Sequence, residues 1–475
     1  MPEFTGPELC AKSATEVVAL LRSGGLSPAE LVDASFERMA VVEPVVNATP
    51  TTCRTRAMEM LGAGLKGDRA HPGWLAGLPV GIKDLNQVAG VRTTFGTSAL
   101  ADFVPETSDP VVERIEARGG LVVGKTNTPE MGAGANTFNE VFGRTRNPWD
   151  ISRNAGGSSG GAAAALATGQ HWLSQGSDLA GSLRTPAAYC GVVGLRPSPG
   201  LVPDGANGNL FNTESVCGPM ARNVADCALF LDAMAGFDRR SPISFPPAAG
   251  SYGAAVAAAD NRLRFAFSPD LNGFAAVSRE MAAAIALAMA AIEAAGAVVV
   301  ESCPELPELD RTYRVLRAML WAAGPGRQPQ AVQRGFKQTL TDNIRFGREL
   351  AVADVYDAQL NRSRLFHDMS LFLEDFDVLA CPVVGIMPGP VEQEYPTEID
   401  GRPLTDYIDW LKFSFLSTTA GLPAISVPVG LSDSGMPVGL QLIGRHRGEA
   451  RLLQAARVVE VATGGPLGPI DPIAR

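Results

Sequence analysis

The chain has 475 residues, 46% of them hydrophobic and 19% charged, with 40 Lys and Arg against 50 Asp and Glu for a net charge of −10. This composition excludes disorder, collagen-like repeats and a coiled coil, and the acidic balance with no basic run disfavours nucleic-acid binding driven by phosphate neutralisation. A chain of this length buries roughly three quarters of its unfolded surface, so it needs no disulfide or metal staple.

The opening MPEFTGPELCAK lacks a basic segment followed by an apolar one, so no secretory leader is expected. Ser13 with Glu16, and Ser27-Pro28-Ala29-Glu30, read as capping boxes that start two helices. The apolar runs at 78–82 and 120–124 read as buried strands, separated by the helical VVERIEARG. A glycine-rich stretch opens a helix at 154–169. It is followed by a strand at 171–178, the turn Leu179-Ala180-Gly181-Ser182, the helix TPAAYC and the apolar VVGL. A helix at 223–236 precedes a Pro/Gly-rich excursion, SPISFPPAAGSYG, and the chain restarts with a strand at 264–268.

The run from Met281 to Ile292 is bounded by Glu280 and Glu293 and is too short to cross a bilayer. It lies in a helix leading into the strand AVVVE. The segment from about Arg311 to Asn361 reads as helical, broken at GPGRQP, and as a cover over the site. Strands at 377–384, 424–430 and 439–444 and a final helix complete the chain. The alternation predicts an α/β fold with a mixed, largely parallel central sheet covered by helices on both faces. With no repeat and no Ser/Gly linker, one large domain is expected over 1–475. Its core lies at about 70–240 and its variable substrate-covering region at about 300–420.

Seven scattered cysteines with no C-x-x-C suggest reduced thiols in a cytoplasmic protein, with Cys190 and Cys227 as core fillers. Four distant histidines give no metal-ligand spacing, so no metal and no cofactor is expected.

Three segments concentrate unusual chemistry. GGSSGG (156–161) needs backbone freedom and opens a helix, where free N–H groups converge. It lacks the Lys-Ser/Thr ending of a phosphate-binding loop and is equally read as a tight turn. GSDLAGSLRTP (176–186) places Ser182 on a sharp strand-to-helix turn. There it is either a helix cap or a nucleophile whose neighbouring N–H groups, from Leu179 to Ser182, form an oxyanion hole. In GLPVGIKDLNQ, Lys83 closes an apolar strand. Such a lysine either snorkels or pairs with Asp84, or it is buried, loses its proton and acts as a base.

Taken together, LPVGIKD with Lys83, GGSSGG with Ser158 and GSDLAGSLRTPAAYCGVVGLRPS with Ser182 resemble the amidase signature family. The resemblance extends to GKTNTPEMG, RNPWD, GPMARNVADCALFLDAMAG and GLPAISVPVG with GMPVGLQLIG, nearly the whole chain. It implies Ser182 as nucleophile, Ser158 as bridging serine and Lys83 as base, with a cis peptide between Gly157 and Ser158. The relay moves a proton from Ser182 through Ser158 to Lys83 and returns it to the leaving amine. Asp178 and Arg184 are expected to lock the turn, and Gly132 and Met131 to border the acyl site.

Many family members carry glycine where this chain has Ala180. The Ala-Gly-Ser spelling resembles the branch that cleaves aryl and synthetic amides, including cyclic-dimer hydrolases and urethanases. The aromatics Trp321, Phe336, Phe346, Trp410, Phe413 and Phe415 suit a bulky apolar or aryl amide. The expected activity is hydrolysis of such small-molecule amides, with carbamates as a further substrate class. The expected protein is a monomer or homodimer that binds neither nucleic acid nor membrane. The alternatives are the amidase subunit of a tRNA-dependent amidotransferase, or a non-catalytic scaffold of the same fold.

Overall fold

A computed structural model describes residues 3–204 and 209–475. Both capping boxes are present. Ser13 Oγ accepts from the Glu16 N–H ahead of the helix Ala14–Ser23, and Ser27 Oγ accepts from the Glu30 N–H ahead of Pro28–Val46. The second of these helices packs against a sheet whose inner strands are almost wholly buried and whose outer strands are partly exposed.

Eleven strands form that sheet. In chain order they are β1 (Thr51–Thr52), β2 (Pro79–Lys83), β3 (Leu121–Thr126), β4 (Leu173–Asp178), β5 (Val193–Arg196) and β6 (Val216–Ala221), then β7 (Arg264–Phe267), β8 (Val298–Glu301), β9 (Val378–Pro382), β10 (Ala424–Leu431) and β11 (Pro437–Ile443). Their spatial order is β1-β3-β2-β4-β6-β5-β10-β11-β9-β7-β8. The first six strands of the chain thus form one contiguous half and the last five the other. Within the sheet the two halves adjoin where β5 pairs with β10, Leu195 opposite Ile425.

The sheet is mixed as expected, but it is not largely parallel. Four adjacencies are parallel, β3–β2, β2–β4, β9–β7 and β7–β8. The other six are antiparallel. The parallel pairs lie towards the two ends, where helices carry the chain back across the sheet. In the middle, β10 turns into β11 through a short hairpin, and no helix separates β5 from β6 among the described residues. Strand–helix alternation cannot register such connections.

Strand β6 is not expected from the sequence. Its VCGPMA holds both glycine and proline, which are poor strand formers. It exists because β4 and β5 pair with it on either side.

The excursion at 241–253 has neither helix nor strand up to residue 250, where it is exposed or half-buried, but its end enters the helix Tyr252–Ala257, capped by Ser251. The segment read as a broken helical cover runs as Leu309–Ala323, a 3₁₀ turn Pro325–Arg327, the short Gln330–Gln333, Gln338–Glu349 and the long Val352–Asp375. All seven cysteines are free, with Cys190 and Cys227 in the core. Among the described residues no helix is long and apolar enough to cross a membrane.

Candidate active site

Three chain segments that are distant in sequence converge at the C-terminal ends of β2 and β4. Register pairs Lys83 with Thr126 and Ile82 with Lys125, so the two lysines leave opposite faces of the sheet. Asp84, the other partner considered for Lys83, is instead bound to Lys125, with Nζ to Oδ1 at 2.8 Å. Lys83 is thereby left to the serines.

Its Nζ lies 2.7 Å from Ser158 Oγ, 2.8 Å from Ser159 Oγ and 3.0 Å from Ser177 Oγ. The side chain is fully buried. Burial disfavours the ammonium and brings the amine down to about 7, although Cys217, Asp178 and Asp204 act in the opposite direction. Such a lysine exchanges a proton near neutrality.

The peptide joining Gly157 to Ser158 is cis. Gly160 begins the helix Gly160–Ala167, so Ser158 sits immediately before a helix N-terminus. Ser182 occupies the turn after β4, and both serines line one cleft of about 310 Å³. Among the described residues no hydrogen bond joins Ser182 Oγ to Ser158 Oγ. Contacts of this kind are often loose before substrate binds.

Asp178 organises the turn. Its carboxylate accepts from Arg184 Nη2 at 2.8 Å and Nε at 3.0 Å, and from the N–H groups of Gly181 and Leu183, each at 3.1 Å. Arg196 Nη1 lies 3.4 Å away. Burial alone would raise this carboxyl, but Arg184 and Arg196 hold it well below the usual carboxylate range.

One expectation narrows here. The Gly181 N–H is spent on Asp178, which removes it from the N–H groups expected to hold an oxyanion and leaves the amides of Leu179, Ala180 and Ser182 as the candidates. The left-handed residue of the turn is Gly181, with φ +85°, not Ala180. The alanine therefore costs the turn nothing.

Gly132 and Met131 border the same cleft. Both have positive φ, and a Cβ on Gly132 would come within 2.7 Å of Leu85 Cδ1. Of the six aromatics considered from sequence, Trp321 alone lines the cleft. Phe336 packs behind it, Trp410, Phe413 and Phe415 fill a separate core cluster, and Phe346 is 45% exposed. Gly324 and Pro325, at the break in the cover, also line the cleft.

Sequence reasoning missed Ser159 and Ser177, which complete the ring of hydroxyls around Lys83. Their only signals are adjacency to Ser158 and a hydroxyl one residue before Asp178. It also missed the polar network behind them. Gln175 takes the Lys83 backbone N–H at 3.1 Å and donates to Asn86 Oδ1 at 2.9 Å, while the Cys217 thiol donates to Asp204 at 3.0 Å. Among the described residues no histidine lines the cleft.

A hydroxyl ring on a buried amine beside a serine turn is chemistry that can serve acyl transfer through a serine. Residues 30–453 match the Amidase family model, and the chain belongs to that family. It is an amide-hydrolysing enzyme. It is 38% identical over 454 residues to an acylamidase of Rhodococcus erythropolis, covering 94% of each chain. It is 35% identical over 486 residues to a glutamyl-tRNA(Gln) amidotransferase subunit of a Synechococcus strain, covering 95% of this chain and 97% of that one. Among solved structures it resembles a bacterial aryl acylamidase and a 6-aminohexanoate cyclic dimer hydrolase, each with TM-score 0.86 and 28% identity. These cover 96% of this chain, and 99% and 98% of theirs.

Proposed function

We propose that the chain hydrolyses bulky apolar or aryl amides through a Lys83–Ser158–Ser182 relay and an acyl-enzyme on Ser182. The observation that carries the reading is the 2.7 Å contact between the buried Lys83 amine and Ser158 Oγ, within the cleft that Ser182 also faces. Neutral Lys83 takes the Ser158 proton as Ser158 takes that of Ser182. Ser182 Oγ attacks the carbonyl carbon, and the oxyanion is held by the turn amides. On collapse the proton returns through Ser158 to the departing nitrogen. Water then attacks the ester with the same groups acting in the same order.

The apolar character of the cleft supports the substrate class, with Leu85, Phe95, Met131, Leu179, Leu320 and Trp321 around the serines. Aryl carbamates present the same planar carbonyl and the same oxyanion, and are the second substrate class of this reading. The likeness to the acylamidases points the same way.

The test is a fluorophosphonate label mapped by mass spectrometry, together with kcat/KM for acetamide, glutamine, a p-nitroanilide and an aryl carbamate. The label is expected on Ser182, and the anilide is expected to be the best amide. Label on another residue overturns the nucleophile. Glutamine as the best substrate favours the amidotransferase reading, since near relatives carry that name.

A further inference from the structure

Among the described residues, several buried polar side-chain atoms lack a hydrogen-bond partner, and only one of them belongs to a residue lining the catalytic cleft: Nε1 of Trp321. We propose that Trp321 is a specificity-determining residue whose indole N–H hydrogen-bonds an acceptor oxygen on the substrate, remote from the scissile carbonyl. The inference rests on the apolar-amide reading above and deepens it. The preferred substrate carries an ether, carbonyl or similar oxygen on the group that fills the apolar half of the cleft.

The surroundings explain why the chain itself does not satisfy this donor. Trp321 is 6% exposed and lies near the end of the helix Leu309–Ala323. It shares an apolar cluster with Ala133, Phe336, Leu340 and Ile344, and Met131 and Leu179 pack against that cluster. None of these side chains is an oxygen acceptor. The Arg317 guanidinium, 5.2 Å from the ring centroid, carries donors only: Nη1 is directed to Asn343, Nη2 to Tyr407, and Nε has no partner, so it offers the indole no acceptor. The cation over the ring holds the indole in place.

Phenylalanine would fill an apolar slot of this kind without leaving a donor unpaired, whereas buried polar groups are normally partnered. The indole is also close to the chemistry. Leu179, which packs against its cluster, is the first residue of the turn that carries Ser182. The short Gly324-Pro325 break that follows Trp321 lines the same cleft. A substrate that seats its far end here presents its carbonyl to Ser182.

The experiment uses two matched pairs of anilides. Methoxyacetyl and butyryl p-nitroanilide differ by an ether oxygen in place of a methylene on the acyl side. N-(4-acetylphenyl) and N-(4-isopropylphenyl) butyramide differ by an acceptor on the amine side. The Trp321→Phe variant is expected to lose about tenfold in kcat/KM on the oxygen-bearing member of one pair, the size of one hydrogen bond. Its hydrocarbon mate should lose less, since the smaller ring gives up packing against both members alike. Equal loss on both members of both pairs means that Trp321 only packs, and overturns the proposal.

If the variant does not fold, the intact chain labelled with ¹⁵N-indole tryptophan and carrying Ser182→Ala gives the answer. One indole resonance is expected to move with the oxygen-bearing member and not with its mate; no such difference overturns the proposal. Failure of the wild-type chain to turn over any of the four anilides refutes the apolar-amide reading itself, and the proposal with it.

Discussion

Burial brings the Lys83 amine down to about 7, which bears both on its proposed use as a base and on its cost to folding. As a base it must be neutral, so kcat/KM is expected to rise through about pH 7 and level off above it, which a pH–rate profile measures. Lys83→Arg should lose about 10²–10⁴-fold, because a guanidinium stays charged. Near-wild-type rates in that variant would refute the base role.

For stability the folded value lies below the ordinary 10.5. The unfolded chain therefore binds the extra proton between those values, and stability rises with pH across that window. The contribution is complete above 10.5 and is lost as pH falls through 7. Lys83→Met removes this dependence, so the Tm of the variant minus that of wild type should be larger at neutral pH than at the alkaline end of the window.

Gly181 supplies a second test at this scale. Its φ of +85° costs about 1–2 kcal/mol for a residue with a Cβ, and that Cβ would meet Thr185 Oγ1 at 2.9 Å. Gly181→Ala should therefore impair turnover and lower Tm, while Ala180→Gly should leave turnover nearly unchanged. Comparing the two variants by kcat and thermal melting checks the assignment.

At the scale of elements, the serine turn is held from behind by a buried charge cluster, and the cover is tied down from the front. Asp178 lies between Arg184 and Arg196, and Arg184 reaches on to Ser417 at 2.7 Å and to Gln441 of β11. The cluster thus couples the serine turn to the second half of the sheet. Removing one partner strands buried charge, so Asp178→Asn should cost about 3–5 kcal/mol of stability, read from denaturant unfolding, and should disorder the turn.

The cover is tied at Glu130, next to Met131. Its carboxylate accepts the Lys337 N–H at 2.8 Å, at the start of the helix Gln338–Glu349, and Lys337 Nζ binds Glu394 at 2.9 Å. Glu130→Gln should loosen this attachment. A rise in KM with a smaller change in kcat is expected, because the cover borders substrate and not the reacting atoms. A change confined to kcat would overturn the assignment.

For the whole molecule, the two half-sheets are contributed by consecutive parts of the chain, joined in sequence through the irregular segment around 238–250 and in space through β5 and β10. Limited trypsin digestion is expected to cut first at Arg239 or Arg240, since this segment has little to unfold locally. The two pieces should stay together on size exclusion, because the helix Arg184–Cys190 packs on β10 and β11 and Arg184 bridges the halves. Separation of the fragments without denaturant would show that the interface between the halves is weaker than this geometry implies.

Much of this is legible in the sequence, for reasons that are local. The capping boxes at Ser13 and Ser27 need only residues three apart. The apolar runs of β2, β3, β10 and β11 declare burial by themselves, and Lys83 is conspicuous because it ends one of them. The motif set around Lys83, Ser158 and Ser182 points to the family by its spelling and order alone. Other features depend on what lies across space. Strand β6 and the antiparallel middle of the sheet exist through their neighbours. The partner of Asp84 is Lys125 on the adjacent strand, not the lysine beside it in sequence. Ser159 and Ser177 reach Lys83 only because β2, β4 and the Gly160 helix end at one point. Trp321 lines the cleft while Trp410 does not, a difference that no spacing along the chain contains. Sequence determines which residues carry burial and chemistry, and tertiary structure decides which of them meet, because hydrogen bonds and charge pairs form across a few ångströms whatever their separation along the chain.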